Sequence, residues 1–517
     1  MEEEKDSKMI INELKPDPED DPENQDQVVS KSPVTGDEGI FPTIVKSKEE
    51  EEEENSEEAS AILNSKKRLD VNSLEESEEG AQEESKASFS KLSIDVTEED
   101  SIREHAYNYF IFTLAGKPIF CRFGDEFHLS PMFATFSAMI PKILSFYSNN
   151  EFYKDRNFLR CIRGKKLKCV VLIKSQICYV AITKYKETTS YLRQQLEYLH
   201  LQMVSLITNQ ILESLKERPN LDIRNSVAGL EKPLHMMSEM VKRSPACFLN
   251  AFPVLTLHSL LRKDLYQLIE ENKPNDFYYG LLVTYTTVLG VIENKEEDAM
   301  ICAPDINLIF NYIHSLSSFR HEETWTPICI PGITEEFLLH VYVYFLNPHF
   351  GVVYISTSDQ IDVFYEYSKS AKALFSEVQE LKIINHLENW STRLYQPIDM
   401  KEITCAIIRN DTLDQFIHYN LPKPRDYTQE HVELLARFEE MYSRCCSFSN
   451  KKTFYLVEKE EYETYVIHRN HSVGSFKFTL LLRLNESITE KQIHQICDDL
   501  LIDLKQPKKS LFINTKS

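Results

Sequence analysis

Residue types that do chemistry are present, but not in the spacings that chemistry needs. His468 and His471 stand three apart, yet no cysteine or acid at ligand spacing completes a zinc set. They read as exposed histidines of a hairpin. Eleven cysteines run from Cys121 to Cys497 without a Cys-x-x-Cys pair. Cys445 and Cys446 are adjacent at a helix end and are poorly placed to share one metal. No cysteine has a nearby histidine and a glycine-bracketed turn of the kind that marks a nucleophile. The dinucleotide, phosphate-loop, metalloprotease and nucleophile-elbow patterns do not occur. Twelve glycines in 517 residues are few for phosphate-cradling loops. The expectation is a protein that works by binding, with no side-chain catalytic centre, no metal and no cofactor.

Three groups of residues suit binding instead. The first is a predicted helix over 130–147. Met132, Phe136, Met139, Ile143 and Tyr147 form one apolar stripe, and Phe133, Ile140 and Leu144 form a neighbouring one. A helix lying on one sheet needs a single apolar face. The surplus leaves two readings open: a second layer of the same domain, or a partner chain. The second group centres on Trp325, one of two tryptophans, at the start of a predicted strand. It is either a core anchor or an aromatic that anchors a partner, since tryptophan is enriched in interface hot spots. The third is a basic cluster, Arg160, Arg163, Lys165, Lys166 and Lys168, with a smaller group at Lys505, Lys508 and Lys509. These are either solvated turns or contacts to anionic lipid, worth about 1 kcal/mol per basic residue near such a surface.

The elements that position these residues follow from composition and periodicity. Residues 1–100 hold 32 of the 81 acids and 11 of the 58 bases, so nearly all of the formal charge of −23 sits there. Only Phe41 and Phe89 of 56 aromatic residues fall in that stretch. A segment so charged and so poor in aromatics cannot bury enough apolar area to offset its ordering entropy. Residues 1–103 are therefore expected as a disordered acidic arm. The body is near neutral, which argues against nucleic acid as a partner. No signal-like or spanning run is apparent, so an intracellular chain with reduced cysteines and at most peripheral membrane association is expected.

In the body the predicted order is β-β-α-β-β-β-α over 104–218. Ser130-Pro131 caps the first helix, and Pro219 lies beyond the second. The order partly recurs over 245–392, where Phe248–Leu255 and 279–292 each read as one strand, and again over 393–517. Residues 219–244 read as a linker. Three α+β domains of one architecture result, on element order alone.

Two segments resemble a known family. Asn108–Gly124 (NYFIFTLAGKPIFCRFG) is similar to the start of the Mon-one/SAND family of vacuolar fusion proteins, and Ser317–Pro331 (SSFRHEETWTPICIP) to a later segment of it. The resemblance implies three longin domains. It implies pairing with a Ccz-one-type tri-longin subunit, and in metazoan members a third subunit. The pair in that family is a guanine nucleotide exchange factor acting on the nucleotide-free form of a late-endosomal, Rab-seven-type GTPase. It is recruited by an early-endosomal Rab and by phosphatidylinositol 3-phosphate to early and late endosomes and lysosomes. Carried onto this chain, Phe133, Ile140 and Leu144 are expected at the partner or GTPase contact. Trp325 is expected to dock the upstream Rab, and Arg163, Lys165, Lys166 and Lys168 to meet lipid. The alternative is a longin-type tether or adaptor that binds a GTP-loaded Rab without exchanging its nucleotide.

Overall fold

The first unit shows how alternation along a strand becomes two cores. It runs β1 (Tyr107–Thr113), β2 (Pro118–Cys121), α1 (Ser130–Tyr147), β3 (Cys161–Arg163), β4 (Lys168–Lys174), β5 (Ile177–Thr183) and α2 (Thr189–Glu217). The strands lie in the order β2-β1-β5-β4-β3, all antiparallel. Phe110, Phe112, Val171 and Val180 point to one face and meet α1. Tyr109, Ile111, Leu172 and Tyr179 point to the other and meet α2. That alternation is the period of two that a sheet covered on both faces requires. This computed structural model describes residues 105–124, 129–147, 161–164, 167–185, 187–218, 221, 231–294, 301–383, 385, 387, 401–421, 429–446, 453–459, 463–470, 477–485, 488–504 and 509–513. The expected acidic arm lies outside them.

Between the first and second units come α3 (Glu231–Arg243), α4 (Ala246–Leu249), β6 (Phe252–Pro253), β7 (Leu257–His258) and α5 (Ser259–Asn272). The second unit has β8 (Tyr279–Val283), β9 (Val288–Glu293), α6 (Ala303–Ser315), the single turn α7 (Ser318–His321), β10 (Thr324–Ile328), β11 (Leu339–Asn347), β12 (Phe350–Ser356) and α8 (Ile361–Glu380). Its strands lie β9-β8-β12-β11-β10. The third has β13 (Ile403–Asn410), β14 (Gln415–Tyr419), α9 (Gln429–Cys446), β15 (Thr453–Lys459), β16 (Glu463–Asn470), β17 (Phe478–Asn485), α10 (Glu490–Leu504) and β18 (Lys509–Ser510). Its order is β14-β13-β17-β16-β15, with β6 added outside β14. All three sheets thus repeat one topology.

Three expectations are corrected. The stretch 279–292 is a hairpin and not one strand. Its turn carries no Gly, Asn or Asp; Thr284 Oγ1 accepts the amides of Thr286 and Thr287 and bends the chain instead. Second, residues 246–249 are a helical turn, closed by Asn250 in the left-handed region, so the strand expected near 248–255 shortens to β6. Third, the expected linker 219–244 carries α3, which packs on α2, α6 and α9, one helix from each unit. Its Leu234, Met237 and Val241 are fully buried. Burying each contributes about 1.5–3 kcal/mol.

The units are also joined by polar contacts. Lys242 of α3 is buried and ion-paired with Glu187, in the β5–α2 connection, through both carboxylate oxygens at 2.5 and 2.6 Å. Glu439 of α9 accepts from the Thr188 hydroxyl at 2.5 Å. Asn311 of α6 donates to Gln202 of α2 and to the Pro233 carbonyl of α3. Sheets two and three meet through the β6 segment. Phe252 and Pro253 pair parallel with β14, and Val254 bridges to Val288 at the start of β9.

Candidate protein-docking surface

Helix α1 lies on the outer face of the first sheet. Phe133 and Ile140 are both fully buried, and the Phe133 ring meets Phe110 and Phe112 edge-on at 5.8 and 5.5 Å. Phe136 adds a stacked contact to Phe112. A side chain sealed against its own sheet has no surface left for a partner. Phe133 and Ile140 therefore anchor α1, which corrects their expected place at an interface. Leu144 sits in the last turns of α1, and its side chain lies outside the described residues. The outward positions of α1 are Pro131, Ala134, Thr135, Ala138, Pro141 and Lys142.

Trp325 is placed differently. It lies on β10, at one end of its sheet, opposite Tyr342 of β11. Pro327 in the same strand has no amide to donate, and proline inside a sheet is confined to edges. The sequence thus puts β10 at the rim. The indole is half-buried. It stacks on His340 at 5.3 Å and meets the edges of Phe364 and Tyr367 at 6.4 and 5.8 Å. Its own unit covers part of the ring and leaves part at the surface. Beside it the first turn of α8 exposes Ile361 at 60% and Tyr365 at 63%, and the Tyr365 ring touches Phe364 at 5.5 Å. Exposed apolar side chains around a partly covered tryptophan are the usual make-up of a protein-binding patch. Glu323 and Lys372 form an ion pair of 2.6 Å at its border, too exposed to add much stability.

Of the basic cluster, Arg163 and Lys168 lie among the described residues. Arg163 is exposed at the end of β3. Lys168 is partly buried, and its ammonium donates to the Glu187 carbonyl. Lys165 and Lys166 lie outside the described residues. Burial pushes the thiols of Cys169, Cys405 and Cys497 up to about 12, away from the thiolate form. Among the described residues no group of His, Cys, Asp and Glu gathers as a metal site, and no described helix is long and apolar enough to cross a membrane. His468 is not the exposed hairpin residue expected. It is 1% exposed and stacked on Tyr455 at 3.9 Å, and burial lowers its pKa to about 4. His471 lies outside the described residues. Sequence reasoning missed Ile361 and Tyr365, because exposure on a helix's first turn is decided by where the helix docks.

Two family models match this chain. The first longin domain of FUZ, MON1 and HPS1 matches residues 107–237, and the second longin domain of the same proteins matches 275–376. The chain is 24% identical over 366 residues to Vacuolar fusion protein MON1 homolog A of Bos taurus, covering 69% of this chain and 64% of that protein. It is 25% identical over 363 residues to Vacuolar fusion protein MON1 of Yarrowia lipolytica, with coverage of 69% and 64%. It is 30% identical over 265 residues to the MON1 homolog of Arabidopsis thaliana, covering 51% of this chain and 42% of that one. The chain carries two longin domains of the FUZ, MON1 and HPS1 type and is similar to MON1 and SAND proteins. The matches span just under two thirds of the length of the first two relatives. Both α1 and β10 lie inside the matched longin domains. The third unit lies outside both matches and shares their strand order.

Proposed function

We propose that this chain is one subunit of a heteromeric guanine nucleotide exchange factor for a late-endosomal, Rab-seven-type GTPase. It acts with a Ccz-one-type tri-longin partner, and with a third subunit in a metazoan complex. Its work would drive conversion of early into late endosomes and fusion with the vacuole or lysosome, from the cytoplasmic face of those membranes. The observation that carries this reading is the match of two successive longin units to the family whose relatives are named vacuolar fusion proteins. Within it, the Trp325 patch on β10 is the docking site for an early-endosomal Rab. Arg163, with the neighbouring lysines, is the contact to membranes bearing phosphatidylinositol 3-phosphate.

The reaction needs no acid, base or nucleophile. A GTPase that holds nucleotide at about picomolar affinity binds it by roughly 16 kcal/mol. Shifting it toward the nucleotide-free form by about 10⁴ takes roughly 5.5 kcal/mol of differential binding. An interface of about 1,600 Å² has room for that. The test is a pull-down of the late-endosomal GTPase across its nucleotide states by the two-subunit complex. Preference for the nucleotide-free form supports exchange. Preference for the GTP-loaded form replaces it with the tether or adaptor reading.

A further inference from the structure

We infer that α2 is a two-position helix whose break at Thr208 is a latch, held open by the segment that follows β10. Thr208 has φ 62° and ψ 159° in the middle of α2. That backbone region is close to glycine-only, and for a β-branched residue it is strained. In an unbroken helix the Asn209 amide would donate to the Ser205 carbonyl four residues back. Here that one bond is split. The Ser205 carbonyl accepts from the Cys329 amide at 3.0 Å, and the Asn209 amide donates to the Glu335 carbonyl at 2.8 Å. Both halves of a single helical hydrogen bond are taken up by residues 329–335.

The clasping segment is built for the purpose. Ile328 and Ile330 insert into the core of units two and three, while Cys329 between them is buried in the core of units one and three. The Cys329 thiol donates to the Thr334 carbonyl at 3.0 Å, and the Gly332 amide donates to Asp305 Oδ1 at 3.0 Å. A Cβ on Gly332 would meet Asp305 Oδ2 at 2.0 Å, so a side chain there displaces the carboxylate that seats the segment. On the helix side, Asn209 Oδ1 accepts from the Ser175 hydroxyl in the β4–β5 turn. The Gln176 carbonyl of that turn accepts from the Leu114 amide beyond β1. A hydrogen-bonded path therefore runs from the end of β10 to the tips of the β1–β2 and β4–β5 hairpins.

The two positions trade one set of bonds for another. With the segment withdrawn, the Asn209 amide returns to Ser205 and α2 closes. With the segment seated, the bonds are exchanged and Thr208 bears the strain. Occupancy of β10 would bias this balance and so reach the first unit. That transmission rests on the reading of β10 as a docking strand, but the latch itself does not.

The test reads the latch in the full chain, without any GTPase, by residue-resolved hydrogen exchange. Thr208→Gly relieves the strain of the open position and should slow exchange of the Cys329 amide by roughly tenfold. Gly332→Ala should unseat the segment. The Cys329 amide then exchanges at least tenfold faster, while the Asn209 amide stays protected because it has returned to Ser205. Thr208→Ala favours helix and alters no atom of the segment, and it should shift exchange in the same direction as Gly332→Ala. Loss of Cys329 and Asn209 protection together would mean that α2 merely frays at its break. That result, or a Cys329 rate indifferent to both Thr208 variants, overturns the latch.

Discussion

Trp325 owes its position to one neighbour in sequence and three in space. Pro327 consigns β10 to a sheet edge, and His340, Phe364 and Tyr367 hold the indole half-covered. Removing it should therefore weaken docking of an early-endosomal Rab by about 2 kcal/mol or more, roughly 30-fold, as for a hot-spot aromatic. Because Trp325→Ala also costs some packing, Tyr365→Ser is the cleaner companion. That ring is 63% exposed, so its loss should move the unfolding midpoint by less than about 0.5 kcal/mol while still weakening binding. Titration calorimetry and urea unfolding on the two variants check both statements. At His468 the prediction concerns stability. Neither ring nitrogen has a hydrogen-bond partner among the described residues. His468→Phe keeps the stack on Tyr455 and removes a buried polar group. It should stabilise the chain by about 1–3 kcal/mol at pH 5, read from chemical denaturation.

At the scale of elements, α3 holds the three units together, and its buried Lys242 is the point to probe. Lys242→Met leaves the Glu187 carboxylate buried without its cation. It should cost about 3–5 kcal/mol, whereas adding Glu187→Gln should return a large part of that loss. Urea unfolding of the single and double variants measures the coupling. The same helix shows where sequence reading stopped. Leu234, Met237 and Val241 stand at helical spacing and were a legible signal. They fall within 219–244, which reads as a linker from sequence alone. The β8–β9 hairpin was hidden for a different reason, since its bend is made by threonine hydroxyls and not by a glycine or asparagine pair. The two stripes of α1 were legible as apolar. Which one faces the sheet depends on the docking angle, and Phe133 and Ile140 turned inward.

For the whole molecule, the ββαβββα order was legible in the first and third units from strand alternation, proline and caps, and only in part in the second, where the β8–β9 hairpin read as one strand. The shared cores were not, because packing between units leaves no periodic trace in any one of them. Those cores hold several neutral histidines. Burial lowers His235, His314, His418 and His468 to about 4 and His200 to about 3. Their unfolded values lie near 6.5. Unfolding therefore takes up protons, and the stabilisation is complete above about pH 6.5 and falls as pH drops toward 4. Asp305 and Glu439, raised by burial, act in the opposite sense over part of that window. Denaturant midpoints should fall between pH 7 and pH 5, and His468→Phe should flatten the slope.

The central claim is that the assembled scaffold opens a GTPase by binding alone. Release of fluorescent GDP from a late-endosomal, Rab-seven-type GTPase tests it most directly, with this chain alone, with its Ccz-one-type partner alone, and with the two together. Near-background release is expected with either chain alone, and acceleration of at least about 100-fold by the pair, which corresponds to roughly 2.7 kcal/mol. A pair that binds the GTPase yet leaves GDP release at its intrinsic rate would contradict it.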